Sequence, residues 1–189
     1  MPEVNAAPSA PRRAVFLDRD GTLIEEKEYL SDPAGVVLFP GIGPALRRLM
    51  DAGFLLIIVT NQSGIGRGYY TVEDMHRVNA RMCELLAKDG VRFEKIYFAP
   101  EAPDQPSRGR KPSPQFLFDA RDEFGLDLAQ CYMIGDKILD LEAGWNAGVK
   151  QSILVRTGYG RELERKAKDK LGNALVVDDL AVAATRLLG

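Results

Sequence analysis

A chain of 189 residues with 46% apolar and 28% charged content is long enough for one well-buried core and has the composition of an ordinary globular protein. Its formal net charge of −2 supplies no electrostatic reason to expect a nucleic acid partner or an anionic membrane surface. Cys83 and Cys131 make neither a disulfide framework nor a C-x-x-C metal knuckle, so reduced thiols in a cytoplasmic protein are expected.

Residues 1–13 are rich in Ala and Pro and lack an apolar signal region, and no later run approaches the ~20 residues that span a bilayer. The expectation is a disordered lead-in followed by one domain over residues 14–189, with no membrane segment. Residues 14–17 form a short apolar run, read as a buried parallel strand, that feeds into Asp18-Arg19-Asp20-Gly21-Thr22. If the backbone stays extended, Asp18 and Asp20 face the same way, while Arg19 falls on the opposite side, packed or solvated. Two carboxylates aimed into one pocket repel, so the pair predicts a divalent cation, a lysine or a shared proton close by.

A long connection, residues 23–40, carries Glu25, Glu26, Lys27, Glu28 and Tyr29 before a helical pattern resumes over residues 44–52. Residues 54–59 are a continuous apolar run that ends on Thr60-Asn61-Gln62-Ser63-Gly64-Ile65-Gly66-Arg67-Gly68. Thr71 and Asp74 have capping-box spacing for a helix over residues 72–87, which Gly90 stops. His76, the single histidine, lies in that helix and is read as structural or solvated. A third strand is expected at residues 94–98, then a proline-rich loop over residues 99–110 that closes on Arg110-Lys111-Pro112. Ser113 and Pro114 suit a helix start through residue 124, with Gly125 as its stop. Residues 131–134 read as a buried strand leading into Gly135-Asp136-Lys137 and a helix over residues 138–147. Further strands are expected at residues 152–155 and 174–177, with Asp179 capping a last helix, residues 180–188. The charged stretch 161–170 reads as a solvated helix face. Strands alternating with helices predict an α/β fold, a Rossmann-like three-layer α/β/α sandwich on a mostly parallel sheet.

Four strand or helix ends thus deliver polar groups to one edge: Asp18 and Asp20, then Thr60 and Asn61, then Lys111, then Asp136. One such end is common, but two carboxylates, a hydroxyl, a lysine and a further carboxylate in this order specify a metal-assisted phosphate site. The arrangement resembles the haloacid dehalogenase-like (HAD) phosphohydrolases, matching their four motifs in order from Ala14 onward. Within that superfamily D-R-D-G-T, T-N-Q-S-G-I-G-R-G, R-K-P and G-D-K are similar to the D-glycero-D-manno-heptose 1,7-bisphosphate 7-phosphatase group, whose nearest relatives are histidinol-phosphate phosphatases.

The resemblance implies Mg²⁺-dependent hydrolysis of a small sugar bisphosphate, in nucleotide-activated heptose and lipopolysaccharide core synthesis. It makes Asp18 the nucleophile that forms an aspartyl-phosphate, and Asp20 the acid that protonates the leaving oxygen and then the base for water. Thr60 and Lys111 would bind phosphoryl oxygens. Asp18, Asp136 and the backbone carbonyl of Asp20 would hold the metal. Glu26, Lys27, Glu28, Tyr29, Thr60, Asn61, Gln62, Ser63, Arg110, Lys111 and Lys137 are the implied substrate contacts. Asp140, one turn after Asp136, is either a metal-shell ligand through water or a helix-surface acid; Arg67 and Arg108 read as surface charge. Only about forty residues separate Asp18 from Thr60, and one helix lies between Lys111 and Asp136, so neither interval houses an inserted cap domain.

One departure from the group is visible. Its members often bind a structural Zn²⁺ through C-x-H and C-x-C in the loop before the lysine, whereas this chain has Ala99, Glu101, Ser107 and Gly109 at those places. A zinc-free loop stiffened by Pro100, Pro103 and Pro106 is expected. A monomer is also expected. The alternatives are the same chemistry on histidinol phosphate or another small phosphomonoester, and a phospho-acceptor module of the receiver type, which lacks a carboxylate two residues after the phosphorylated one. A polynucleotide 3′-phosphatase is disfavoured by the acidic balance.

Overall fold

The computed structural model describes residues 11–189. Residues 1–10 of the expected lead-in lie outside the described residues, and Arg13 already belongs to the first strand. The elements are β1 (Arg13–Leu17), α1 (Ile42–Asp51), β2 (Phe54–Asn61), α2 (Ser63–Gly66), α3 (Val72–Ala87), β3 (Lys95–Ala99), α4 (Gln115–Phe124), β4 (Tyr132–Gly135), α5 (Ile138–Ala147), β5 (Gln151–Val155), α6 (Gly160–Lys166), β6 (Leu175–Val177) and α7 (Leu180–Leu188). The six strands form one sheet in the order β3-β2-β1-β4-β5-β6, and every neighbouring pair is parallel.

The sequence period of two sorts side chains between two cores, one on each face of the sheet. Val15 and Leu17, Leu56 and Ile58, and Ile134 meet α1, α3 and α7 through Leu46, Leu49, Val78, Met82, Leu180 and Ala183. Their sequence neighbours Ala14, Phe16, Ile57, Val59 and Met133 pack on the other face against Leu117 and Ala120 of α4. Burial on both faces is why these strands read as unbroken apolar runs. The result is a three-layer α/β/α sandwich.

Chain order places the site. The chain runs outward from β1 to β2 and β3, then returns to lay β4 on the opposite side of β1. Connections diverge at that point, and the crevice opens beyond the C-terminal strand ends. Leu17 pairs with Ile134, so the residues after them, beginning at Asp18 and Gly135, emerge side by side. Between Asp18 and Thr60 the chain holds α1 and a short 3-10 turn, and between Lys111 and Asp136 it holds α4 and another such turn. No cap is inserted in either interval.

Most differences from the sequence reading are shifts of one or two residues at element ends. β2 continues through Thr60 and Asn61 because both pair with β3, at Phe98 and Ala99. α2 was not expected, since its Ser-Gly-Ile-Gly sequence reads as loop. The charged stretch 161–170 is split: α6 ends at Lys166 and a 3-10 turn occupies Lys168–Leu171. Among the described residues no helix is long and apolar enough to cross a membrane.

Candidate active site

β1 ends at Leu17, and Asp18 continues its ladder with an N–H bond to the Ile134 carbonyl at 2.9 Å. Lys111 arrives from the loop before α4, with a buried ammonium that donates to Asp18 Oδ1 at 2.7 Å and to the Val59 carbonyl at 2.7 Å. It also lies 2.6 Å from Asp140 Oδ1. Asn61 holds that lysine's main chain at two points, donating to the Lys111 carbonyl at 3.1 Å and accepting from its N–H at 3.0 Å. The lysine is thereby registered to the end of β2. Asp140 is fully buried at the start of α5, where its Oδ2 accepts the Lys137 N–H at 2.9 Å. A helix-surface position for Asp140 is ruled out.

Asp18, Asp136 and Asp140 each bring one carboxylate oxygen within 4.8 Å of the other two. Asp136 Oδ2 accepts the Tyr159 N–H at 2.8 Å, while its Oδ1 is buried with no hydrogen-bond partner among the described residues. Two glycines floor this carboxylate: a Cβ on Gly21, which has φ 82°, or on Gly158, φ 52°, would collide with it. Burial pushes the Asp136 carboxyl up to about 8, reinforced by the charges of Asp18 and Asp140. Burial also opposes charge on Asp18, but Lys111 and Lys137 outweigh it and hold that carboxyl below its ordinary range. For Lys111 burial alone would lower the pKa; the Asp140 and Asp18 carboxylates reverse this and raise it. The cluster is therefore short of positive charge, has an orphaned oxygen and offers only hard oxygen donors, a set that fits Mg²⁺.

Asp20 is not a side-chain member of that cluster. Its carboxylate is gripped by the Arg19 guanidinium, Nε to Oδ2 and Nη2 to Oδ1, both at 3.0 Å, and by Gln62 Nε2 to Oδ2 at 2.9 Å. Arg19 was expected across the strand from the carboxylates. Instead the strand ends at Leu17, and the N–H groups of Leu23 and Ile24 close back onto the Arg19 carbonyl, so strand alternation no longer applies. Gln62 Nε2 also donates to Thr60 Oγ1 at 2.9 Å, and Tyr70 donates to Gln62 Oε1 at 2.6 Å. Asp18, Asp20, Asn61, Lys111, Lys137 and Asp140 together line a small cavity of about 30 Å³.

Asp20, Asn61 and Lys137 also line a larger cavity of about 410 Å³, which adds Glu26, Glu28, Tyr29, Gln62, Ser63, Tyr70 and Tyr159. Lys137 is 2.7 Å from Glu26 Oε2 and 4.9 Å from the centre of the Tyr159 ring. Glu28 and Tyr29 occupy positive φ, 42° and 24°, with the Glu28 N–H on Glu26 Oε1 at 3.0 Å. Four expected contacts, Lys27, Thr60, Arg110 and Lys111, are not among the residues lining this cavity, although Lys111 lines the smaller one. Lys27 donates to the Gly35 carbonyl at 2.8 Å, and Arg110 donates to the Glu101 carbonyl at 3.0 Å. Burial presses the Arg110 pKa down, helped by the nearby Arg67 charge, while Arg108 is engaged by Asp119.

Asn79, Tyr70 and Tyr159 were missed from sequence. Asn79 carried a readable signal: it lies on the apolar stripe of α3 with Met75, Val78, Met82 and Leu86, where a polar residue needs a partner. Tyr70 and Tyr159 carried none, because loops bring them in.

Comparison with known proteins agrees with this geometry. A family model described as polynucleotide kinase 3 phosphatase matches residues 13–143, and one described as HAD-hydrolase-like matches residues 109–183. The D-glycero-beta-D-manno-heptose-1,7-bisphosphate 7-phosphatase of Haemophilus ducreyi is 41% identical over 174 residues, which is 87% of this chain and 95% of that protein. The chain belongs to the heptose bisphosphate phosphatase family of HAD-like hydrolases. Another family member, the D-glycero-alpha-D-manno-heptose-1,7-bisphosphate 7-phosphatase of Burkholderia mallei, is 37% identical over 76% of this chain and 79% of its own. The solved D,D-heptose 1.7-bisphosphate phosphatase from B. bronchiseptica, complexed with magnesium and phosphate, superposes with a TM-score of 0.85 at 31% identity, covering 94% of this chain and 98% of that one.

In this member of the family the loop between β3 and α4 is closed by its own hydrogen bonds. Ser107 Oγ donates to Glu101 Oε2 at 2.7 Å and accepts the Arg110 N–H at 3.1 Å, and the Ala102 N–H meets Gln105 Oε1 at 2.8 Å.

Removing the buried ammonium leaves three carboxylates facing one another without their internal counter-charge. Lys111→Met is expected to lower unfolding stability by about 3–5 kcal/mol in urea titrations. A loss under about 1 kcal/mol, the range of exposed pairs, would show that Lys111 does not balance this cluster.

Proposed function

We propose that this chain is a Mg²⁺-dependent phosphomonoester hydrolase that removes the 7-phosphate of D-glycero-D-manno-heptose 1,7-bisphosphate. The observation that carries the reading is Lys111 set among Asp18, Asp136 and Asp140 at the strand ends, beside a polar cavity of sugar size. Mg²⁺, held by Asp18, Asp136 and the Asp20 backbone carbonyl, would neutralise the phosphate dianion that otherwise repels an anionic nucleophile.

The chain's own residues then do the following. The Asp18 carboxylate attacks phosphorus as the bond from phosphorus to the sugar oxygen breaks, and Asp20 gives its proton to that oxygen. Water attacks the aspartyl-phosphate while Asp20 takes a proton from it, and the Asp18 carboxylate is returned. Lys111 and Thr60 hold phosphoryl oxygens through the transition state. Thr60 is suited to this because Gln62 already donates to its oxygen, leaving its O–H to point at a ligand. Glu26, Glu28, Tyr29, Asn61, Gln62, Ser63 and Lys137 take the sugar. Arg110 beside Arg67 lies outside the cavity lining, where it suits a second, distal anion.

One named relative is a phosphatase of the beta anomer and another of the alpha anomer, so either anomer is a candidate substrate. The enzyme is proposed to act as a cytoplasmic monomer supplying nucleotide-activated heptose, a setting in keeping with two free thiols. The loop between β3 and α4 is proposed to be zinc-free, since Ala99, Glu101, Ser107 and Gly109 supply at most one metal-binding side chain.

Phosphate release should be measured with and without Mg²⁺ for both heptose 1,7-bisphosphate anomers, histidinol phosphate and a 3′-phosphorylated oligonucleotide. The heptose bisphosphates should show the highest kcat/KM, only with Mg²⁺, and Asp18→Asn should reduce turnover to background. A higher kcat/KM for histidinol phosphate would move the assignment to that substrate, and a preference for the oligonucleotide would move it to polynucleotide ends. Elemental analysis of protein purified without chelator should find no bound zinc; one zinc per chain would overturn the loop assignment.

A further inference from the structure

Arg19 is 1% exposed, and every nitrogen of its guanidinium is engaged. Nε and Nη2 take the two oxygens of Asp20, Nη2 also donates to Gln62 Oε1 at 3.0 Å, and Nη1 donates to Asn79 Oδ1 at 2.8 Å. Asn79 is anchored in turn, its amide nitrogen lying 2.9 Å from Met75 Sδ within α3. Four of its five N–H groups have protein partners, so this arginine is committed to its neighbours. Two of these bonds fix one carboxylate, and the others tie the same guanidinium to Gln62 and Asn79.

The bonds to Asp20 are unequal. Oδ2 accepts from Arg19 Nε and Gln62 Nε2 and lies 2.9 Å from Arg19 Nη2, which fills its two acceptor positions, whereas Oδ1 accepts only from Nη2. Gln62 cannot turn to relieve this. Arg19 and Tyr70 both donate to its Oε1, which forces its amide nitrogen toward Thr60 and Asp20. Asp20 also lines both cavities, the small one beside Asp18 and Lys111 and the larger one proposed to take the sugar. The oxygen that bridges phosphorus and sugar must sit at that junction.

We propose that Arg19 is a positioning residue for proton transfer: with Gln62 and Tyr70 it saturates Asp20 Oδ2 and presents Oδ1 as the atom that protonates the leaving oxygen. The inference rests on the phosphatase reading above. In the first step the electron pair of the breaking phosphorus–oxygen bond goes to the sugar oxygen, which takes the Oδ1 proton as the Asp18 oxygen–phosphorus bond forms. In the second, water forms its bond to phosphorus, its proton goes to Oδ1, and the pair of the breaking bond returns to Asp18. The same network orients Thr60 through Gln62, so the proton donor and one phosphate donor are set by one buried unit.

The role has a signature that loss of structure does not share. A sugar alkoxide leaves poorly unless protonated, whereas p-nitrophenolate leaves without a proton, so only the former needs a well-placed acid. A lysine at position 19 keeps the charge but cannot bridge both oxygens while also reaching Gln62 and Asn79. Arg19→Lys should therefore lose about 100-fold in kcat on the heptose bisphosphate and only a few-fold on p-nitrophenyl phosphate. Tyr70→Phe, which removes one O–H from the network, should show the same split at about tenfold, near the lower end of acid–base effects; it keeps the inference testable if Arg19→Lys does not fold. Equal losses on both substrates in the folded variants would reduce Arg19 to a structural role, and no loss on either would remove it from the mechanism. Wild-type enzyme inactive on both substrates with Mg²⁺ would instead overturn the phosphatase reading, and this inference with it.

Discussion

One lysine ammonium buried among carboxylates is the constraint on which the rest of this structure depends. Lys111 is separated by 93 residues from Asp18 and reaches it across the sheet edge at 2.7 Å. Lone carboxylates in such a place are pushed toward the protonated form, as burial and the charges of Asp18 and Asp140 push Asp136. Around Lys111 the chain is tied down accordingly: Asn61 fixes its backbone, Val59 and Asp140 share its protons, and Asp140 also caps α5. The negative charge left over after Lys111 suits the cluster to a divalent cation rather than to a closed structural ion pair.

Asp18 and Asp20 are two residues apart yet live in different surroundings. Asp18 faces lysines whose charges outweigh its burial and keep it ionised, as the nucleophile proposed above requires. Asp20 is held by Arg19 and Gln62 at the border between the small cavity and the larger one. Like groups in unlike environments suit the separate roles proposed for them, nucleophile and acid.

The larger cavity owes its shape to loops rather than to an added domain. The segment after β1 contributes Glu26, Glu28 and Tyr29, and the segment after β5 contributes Tyr159, with Glu26 bonded to Lys137 across the gap. Positive φ at Glu28 and Tyr29 is costly for residues with a Cβ, and it persists because the Glu26 side chain and the Tyr29–Tyr69 ring contact, 4.6 Å between centroids, hold the turn. The larger cavity is thus rimmed by loop residues, and the small cavity of about 30 Å³ lies at its base.

What was legible from sequence follows from local rules. Strands buried on both faces must be apolar throughout, so β1, β2 and β4 stood out, and polar residues at their ends could only be at the crevice of a parallel sheet. The candidates at these ends, Asp18, Thr60 and Asp136, were therefore visible, as was Lys111 before its helix. Asp140 was ambiguous because a helix period does not say which face is covered, and packing on Lys111 settled that. Arg19 was assigned to the opposite face by alternation, but alternation ends where the strand does, and a tight turn after Leu17 sent its side chain toward α3. Which nitrogen meets which oxygen, and so which oxygen of Asp20 stays open, depends on Gln62, Tyr70 and Asn79 converging from β2, a loop and a helix. Sequence alone determined the fold, the four motifs and the chemistry they favour, because each is written in a contiguous stretch. Tertiary structure decided the hydrogen-bond partners, because these join residues 60, 93 and 111 positions apart whose meeting no local pattern encodes.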